Sequence, residues 1–524
     1  MVGFGFGAWP PRPVSGGGGG GTPTPTPGGT SPARYSPMGT RFRLPTGTQT
    51  INASFLFQAY AHVFATGAWA TNEAAFFWST FANLTSVADH EAKVTGALRI
   101  ERISVLISGT WVDATITAGD ETIDPNTDGA GKWVRCAFAT PLPANTVLSM
   151  RVATEFTRTG TCPGGPAAAP NEAQRGSSTS LASTLTTVSL NNSNAVHWRP
   201  CAMMGKGGDG RPALLALGDS IGAGADQYAN AAVMSARAEF GYLGLGLDDA
   251  STSKRIPCFN FCVPGQNPEN YGTPSRVALK LEILTKAMAL NGGASPVDEI
   301  VVQHGTNSVN GTVTKAQLVG HLKNVYSTFR AVLGATMPVT QVEMIALPAS
   351  TDGYATLANQ TPTAPNTYPT GVRWQVNEAI GGPDGLGSPS AELRADGSIR
   401  GSFAPWRYGS ADTAADRDLL PVQSFTTTVA AAYGGSGNIT LTDAPLVGHY
   451  LAVGGAAFHY GVVTSVTGTG PYVVGIIWQG GQAAKAVGNP VRATAHGSGL
   501  HPGPFHHAIM AQAVIDWKIS RGWV

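Results

Sequence analysis

The order of apolar and polar positions changes character twice along the chain. From about residue 41 to 205, short apolar stretches of strand length follow one another between clusters of Gly, Pro, Asn and Asp. Ala97-Leu-Arg-Ile-Glu-Arg-Ile-Ser-Val-Leu-Ile107 and Thr146-Val-Leu-Ser-Met-Arg-Val-Ala153 alternate or run apolar, and Val196-His-Trp-Arg-Pro-Cys-Ala-Met-Met204 predicts a last strand. Closely spaced strands with few helical stretches predict an antiparallel sandwich over 41–205, which binds carbohydrate or a partner or serves as a spacer. After the glycine-rich joint Gly205-Lys-Gly-Gly-Asp-Gly210 the pattern becomes strand, helix, strand. Strands are predicted at Ala213–Leu217, Ile256–Val263, Glu299–Gln303 and Pro338–Leu347, and helices at Ala231–Phe240, Ser275–Leu290, from Thr314, at Trp374–Ile380 and at Ala508–Ser520. Such alternation is the mark of a parallel sheet built from βαβ units. Thr314 and Gln317 have the spacing of a capping box. Residues 381–422 look irregular, and 423–492 return to strand-like segments with Gly-rich turns, read as an inserted small barrel or sandwich. The expected fold class is α/β. The parallel-sheet domain spans 211–422 plus 493–524, the β module 423–492 is inserted in it, and a β-sandwich precedes it.

Composition narrows the setting. With a net charge of +1 and only 12% charged residues in 524, the chain offers neither a basic face for nucleic acid nor an acidic tail. No run of eighteen apolar residues is present to span a membrane, and Met1–Pro10 lacks the basic start and apolar middle of a signal peptide. Residues 1–40 combine a glycine run with Thr22-Pro-Thr-Pro-Thr-Pro27, a flexible and then stiff tether; Phe4, Phe6 and Trp9 are either a docking anchor or part of a tail. The five cysteines are too few and scattered for a disulfide framework. Cys258 and Cys262, four residues apart on one strand, lie about 13 Å apart, beyond the reach of a bridge. No metal-ligating pattern occurs, so neither a metal nor a cofactor is expected. An extracellular or particle-bound protein is the expectation, with oligomeric state left open.

Candidate chemistry centres on Leu214-Leu-Ala-Leu-Gly-Asp-Ser-Ile221, an apolar strand ending in a turn that carries Ser220. Gly218-Asp-Ser-Ile-Gly222 also fits the G-x-S-x-G pattern of α/β-hydrolases, but nothing resembling βαβ precedes Ala213, so the serine follows the first strand of its domain. An isolated Gly-Asp-Ser is equally an N-cap serine opening a helix. Three later landmarks occur in order: Val263-Pro-Gly265 after the second strand, His304-Gly-Thr-Asn-Ser308 after the third, and Leu500-His-Pro502 before the last helix. Each alone has a structural explanation, Gly265 as a turn residue and Asn307 as a loop cap. Together, over residues 213–346 and 493–520, they resemble the SGNH, or GDSL, hydrolase family, whose four blocks supply Ser, Gly, Asn and His in this order.

The resemblance implies Ser220 as nucleophile and His501 as its base. It implies an oxyanion hole formed by the backbone N–H groups of Ser220 and Gly265 and the Asn307 amide. One departure matters: the aspartate that the family places three residues before its histidine is Ser498 here. A Ser-His dyad, an acid supplied by Asp412, Asp416 or Asp418, and an inactive descendant all remain open. Trp374, Trp406 and Tyr408 lie in the irregular segments and suit either a wall for sugar rings or the core. The implied activity is ester hydrolysis through an acyl-enzyme, with O-deacetylation of a surface or wall polysaccharide as the leading reading. A lipase-like esterase and a non-catalytic receptor-binding or structural virion protein are the alternatives. The tether and β modules resemble, more loosely, phage tail or virion-associated proteins, which would give the N-terminal segment a virion partner.

Overall fold

The structure, a computed structural model of the chain, describes residues 34–523 apart from 85–90, 165–172, 191–197, 209–210, 225–240, 250–253, 310–312, 346, 355–357, 368–369, 382–396, 400–421, 448, 455–457, 480–482 and 495–503. Five parallel strands form the sheet that positions everything else: β1 (Leu214–Gly218), β2 (Cys258–Cys262), β3 (Glu299–Gln303), β4 (Val339–Val342) and β5 (Gly397–Ile399). Their spatial order is β2-β1-β3-β4-β5, all pairs parallel. Every residue of β1 to β4 is buried, so β1 reads as a continuous apolar run, while β2, β3 and β4 also bury polar side chains, Asn260, Glu299 and Gln303, and Thr340 and Gln341.

Helices cover both faces. They are α1 (Tyr242–Asp248), α2 (Pro268–Tyr271), α3 (Ala278–Leu290), α4 (Thr306–Val309), α5 (Lys315–Leu333), α6 (Val372–Gly381) and α7 (Pro504–Ser520). Leu215, Leu217, Phe259, Phe261, Ile300 and Val302 pack with α3, α5 and α6, while Leu214, Ala216, Cys258, Cys262 and Val301 pack with α1 and α7. The period of two along each strand therefore splits one apolar run between two layers. The expected capping box on α5 is present: Thr314 N–H donates to Gln317 Oε1 at 2.9 Å and Gln317 N–H to Thr314 Oγ1 at 3.3 Å.

Two of the elements lie where none was expected. The predicted helix at 231–240 lies outside the described residues, and the structure shows α1 just after it, in a glycine-rich segment with poor helix propensity. Packing explains it, because a Cβ on Gly246 would sit 2.5 Å from Val514 Cβ on α7, so glycine allows the two helices to approach closely. The second is β5, three residues inside the stretch read as irregular. Gly397-Ser-Ile399 is too short to carry a period, and its pairing with β4 makes it a strand.

Ahead of the sheet, strands from Tyr35–Pro37 to Ala202–Lys206 pair antiparallel in two halves, joined by Thr110–Ile116, which pairs with both. Phe76, Trp78 and Val134 from one half meet Phe64, Ile103 and Met150 from the other in a common core. The opposite side chains of Thr71–Ser79 face elsewhere: Ala75 and Phe77 join the cluster that contains Phe259 and Phe261 of β2, and the Trp133 ring lies 5.0 Å from Phe77 and 5.9 Å from Phe259. The sandwich is thus packed directly on the α/β layer rather than held away from it by the glycine-rich segment. The five cysteines are buried free thiols.

Between β5 and α7, six antiparallel strands run from Val422–Thr428 to Pro490–Thr494. The sheet closes on itself: Val429 bridges Leu441, Ala430 N–H donates to Thr440 O at 2.8 Å and Thr442 N–H to Thr428 O at 3.0 Å. The result is a small barrel around Val429, Leu441, Leu451, Val463, Val474 and Val491. Val422 is paired with Thr494, so the chain leaves the barrel beside the point where it enters. Among the described residues no helix is long and apolar enough to cross a membrane.

Candidate active site

In a parallel sheet of order 2-1-3-4-5 the connections leave β1 and β3 in opposite directions, and this opens a crevice at their carboxyl ends. Ser220 stands at the end of β1 and Asn307 just beyond β3, so both candidates from the sequence fall at this crevice. Ser220 is 4% exposed, Asn307 half-buried and Gly265 exposed.

The turn bearing Ser220 is wound tightly. Asp219 Oδ1 accepts the N–H of Ile221 at 2.8 Å, and Asp219 O accepts the N–H of Ala223 at 2.9 Å. Asp219 therefore caps this turn and Ser220 is the first residue inside it; the helix that Ser220 was weighed as opening would run into residues 225–240, outside the described residues. Gly218 and Gly222 are required by a close approach. A Cβ at either would lie 2.7 Å from Gln303 Oε1 and 2.8 Å from Cys262 Sγ.

After β2, Val263-Pro-Gly-Gln266 makes a turn in which Gln266 N–H donates to Val263 O at 3.3 Å and Gly265 has φ 77°. Proline followed by a left-handed glycine is the type II signature, so the turn role weighed for Gly265 is real. Its exposed backbone is compatible with a second role as an N–H donor. Asn307 reaches across from α4 and donates Nδ2 to Gln266 O at 2.8 Å. A primary amide has two donor hydrogens, so this bond fixes the side chain and leaves one hydrogen to point elsewhere.

Hydrogen bonds join three of the four sequence blocks: Val263 N–H to Gly218 O at 3.0 Å, Gly222 N–H to Gln303 Oε1 at 2.9 Å, and Asn307 to Gln266. The fourth block, with His501 and Ser498, lies outside the described residues, as do Asp412, Asp416, Asp418, Trp406, Tyr408 and the N-terminal aromatics. Two of the other described histidines lie near these blocks in the fold. His304, at the end of β3, is 1% exposed with its ring 4.4 Å from that of Tyr271; burial and the nearby Lys280 charge push its pKa down to about 3, so it stays neutral. His507 is fully buried on α7 and accepts the Tyr242 N–H through Nδ1 at 3.0 Å. Trp374 is half-buried on α6 with the Arg373 guanidinium 4.7 Å over its ring, so one face of the proposed sugar wall is already taken.

Gln303 was not singled out from the sequence. Its signal was a polar residue closing the apolar strand Glu299-Ile-Val-Val-Gln303. It is the register partner of Gly218, 6% exposed, and its Oε1 also accepts the Asp219 N–H at 3.3 Å.

No family model and no curated protein matches the chain. Among solved structures it is similar to TesA, at 16% identity over 40% of this chain and 89% of that one, with a TM-score of 0.22. A family two carbohydrate esterase from Cellvibrio japonicus is 13% identical over 58% of this chain and 81% of its own, with a TM-score of 0.19. The salicylyl-acyltransferase SsfX3 from a tetracycline biosynthetic pathway is 12% identical over 63% and 79%, with a TM-score of 0.21.

Proposed function

We propose that the chain is a serine ester hydrolase that removes acyl groups, acetyl foremost, from a surface or wall polysaccharide. The observation that carries this reading is the hydrogen-bonded convergence of the Ser220 turn, the Gly265 turn and Asn307 at the β1/β3 crevice. In this reading His501 takes the Ser220 proton as the hydroxyl attacks the ester carbonyl, then returns it to the departing sugar oxygen; water repeats the cycle on the acyl-enzyme. The oxyanion formed in each step is met by the backbone N–H groups of Ser220 and Gly265 and by the second hydrogen of Asn307 Nδ2. A glycan substrate is supported by Trp406 and Tyr408, and by the face of Trp374 that Arg373 leaves uncovered, between β4 and the barrel in sequence, since flat aromatic faces suit sugar rings. The tether and the β modules support a place outside the cell or on a virion, with the N-terminal segment as the attachment.

Hydrolysis of p-nitrophenyl acetate and of an acetylated polysaccharide tests the reading. Ser220→Ala is expected to fall to the uncatalysed rate, and Asn307→Ala to lose about 10²–10³ in kcat, the usual cost of one oxyanion donor. An acyl-chain series is expected to favour acetyl over long chains. Equal rates for the wild type and Ser220→Ala would overturn the proposal in favour of a non-catalytic binding or structural role, the reading that Ser498 favours.

A further inference from the structure

We infer that Gln303 is a positioning residue whose side-chain carbonyl clamps the Ser220 turn in the geometry needed for attack; the inference rests on the reading of Ser220 as nucleophile. One oxygen, Oε1, accepts the N–H of Asp219 at 3.3 Å and of Gly222 at 2.9 Å, the residues that bracket Ser220-Ile221. Both contacts are backbone donors, which fixes the amide orientation: the oxygen faces the turn. The clamp is anchored as well as aimed. Gln303 is the last residue of β3, held in register against Gly218, so its backbone is fixed by the central sheet.

The surrounding residues fit this task. Gly218 and Gly222 leave room for the oxygen, since a Cβ on either would lie 2.7 Å from it. The buried Asp219 carboxylate lies within the same turn, so a neutral acceptor is preferred there to a charged one, whose repulsion would be strong in a buried site. An amide is the side chain that offers a neutral carbonyl at this reach. By closing two N–H groups around one point, Gln303 sets where the intervening Ser220 Cα sits, and displacements of about 1 Å in such a site cost about 10²-fold in rate.

The test compares Gln303→Asn, one methylene shorter, with Gln303→Glu, which keeps an acceptor at the same reach. Two readouts are taken on the full chain: Ser220-dependent acetyl-ester kinetics, and amide hydrogen exchange of the peptide covering 214–224. Gln303→Asn is expected to lower kcat about 10²-fold with KM near the wild-type value, and to speed exchange at the turn. Gln303→Glu is expected to lose protection while its carboxylate is charged, repelled by the buried Asp219, and to regain it as falling pH neutralises the introduced carboxyl. Wild-type kcat and wild-type protection in Gln303→Asn would overturn the inference. Should Ser220→Ala leave hydrolysis unchanged, the reading of the site falls instead, and exchange alone decides the clamp: faster exchange in Gln303→Asn upholds it and unchanged exchange overturns it.

Discussion

The sandwich and the barrel flank the same parallel sheet, yet they are attached to it in opposite ways. The sandwich shares its packing with the α/β layer: Phe77 and Trp133 lie in one cluster with Phe259, Phe261, Leu215 and Leu217. Buried ion pairs cross the junction, Arg41 to Asp248 at 2.8 Å and Lys280 to Glu91 at 2.9 Å, with side chains at most 3% exposed. Glu91 also accepts the Leu279 and Lys280 N–H groups at the start of α3, so a strand of the sandwich caps a helix of the other layer. The barrel instead encloses its own small core, enters and leaves at one paired point, and meets the 349–361 hairpin through Arg492 and Asp352 at 3.1 Å. Two regions of similar β pattern thus differ in kind: the first is part of the α/β layer's core, the second an appended unit.

The largest effect expected from testing this difference is at Asp248. Its carboxylate accepts from Arg41, from Thr40 Oγ1 at 2.6 Å and from Arg255 at 3.2 Å, all within the junction. Arg41 is itself held at φ 71°, a conformation few side chains adopt, by these contacts. Asp248→Ala strands buried guanidinium charge and is expected to destabilise the fused unit by about 3–5 kcal/mol. Denaturant unfolding followed by tryptophan fluorescence checks it. A loss below about 1 kcal/mol, the scale of a surface pair, would mean that the junction is solvated and the two layers separable.

How much of this was legible follows the same division. Short, mostly apolar segments alternating with helical stretches revealed β1 to β4, and β1, buried on both faces, is apolar throughout. The run Ala74-Ala-Phe-Phe-Trp78 carried the same information about the sandwich: a strand of an antiparallel sheet that is apolar on both sides must be covered twice. The second cover, however, comes from residues almost two hundred positions away, which no local pattern reveals. At the site, Ser220, Gly265 and Asn307 were found by residue type and order. Gln303 and the capping role of Asp219 were not, since both act through distances to backbone N–H groups that only the folded turn defines. β5 escaped because three residues contain no period.

A smaller, pH-dependent effect should separate the two regions again. His304 lies beneath the fused junction, against Tyr271, whose ring also faces Lys280 at 5.3 Å. Its pKa falls from 6.5 to about 3 on folding, mainly through burial and then through the Lys280 charge. Between those two values the unfolded chain holds a proton that the folded chain does not, so stability falls as pH falls, by up to about 1.4 kcal/mol per unit. His304→Phe keeps a ring against Tyr271 and removes the titration. Its unfolding midpoint is expected to decline less than that of the wild type between pH 6.5 and 4.5. Parallel curves would show that the folded ring takes up its proton near the ordinary value and that the junction admits water.

The smallest effect is expected where the barrel docks. Arg492 and Asp352 form a partly exposed pair, with side chains 29% and 8% exposed, and Asp352 is held as well by Ser350 Oγ at 2.9 Å and Asn359 Nδ2 at 3.1 Å. Removing the arginine leaves the aspartate with hydroxyl and amide partners, so Arg492→Ala should cost about 1 kcal/mol or less. The informative readout is which calorimetric transition moves. If the barrel is an appended unit, Arg492→Ala shifts a barrel transition slightly and leaves that of the fused sandwich and α/β layer where it was, while Asp248→Ala does the reverse. A single transition that moves in both variants would make the barrel a third part of one cooperative core, and its own apolar cluster would no longer count as evidence of independence.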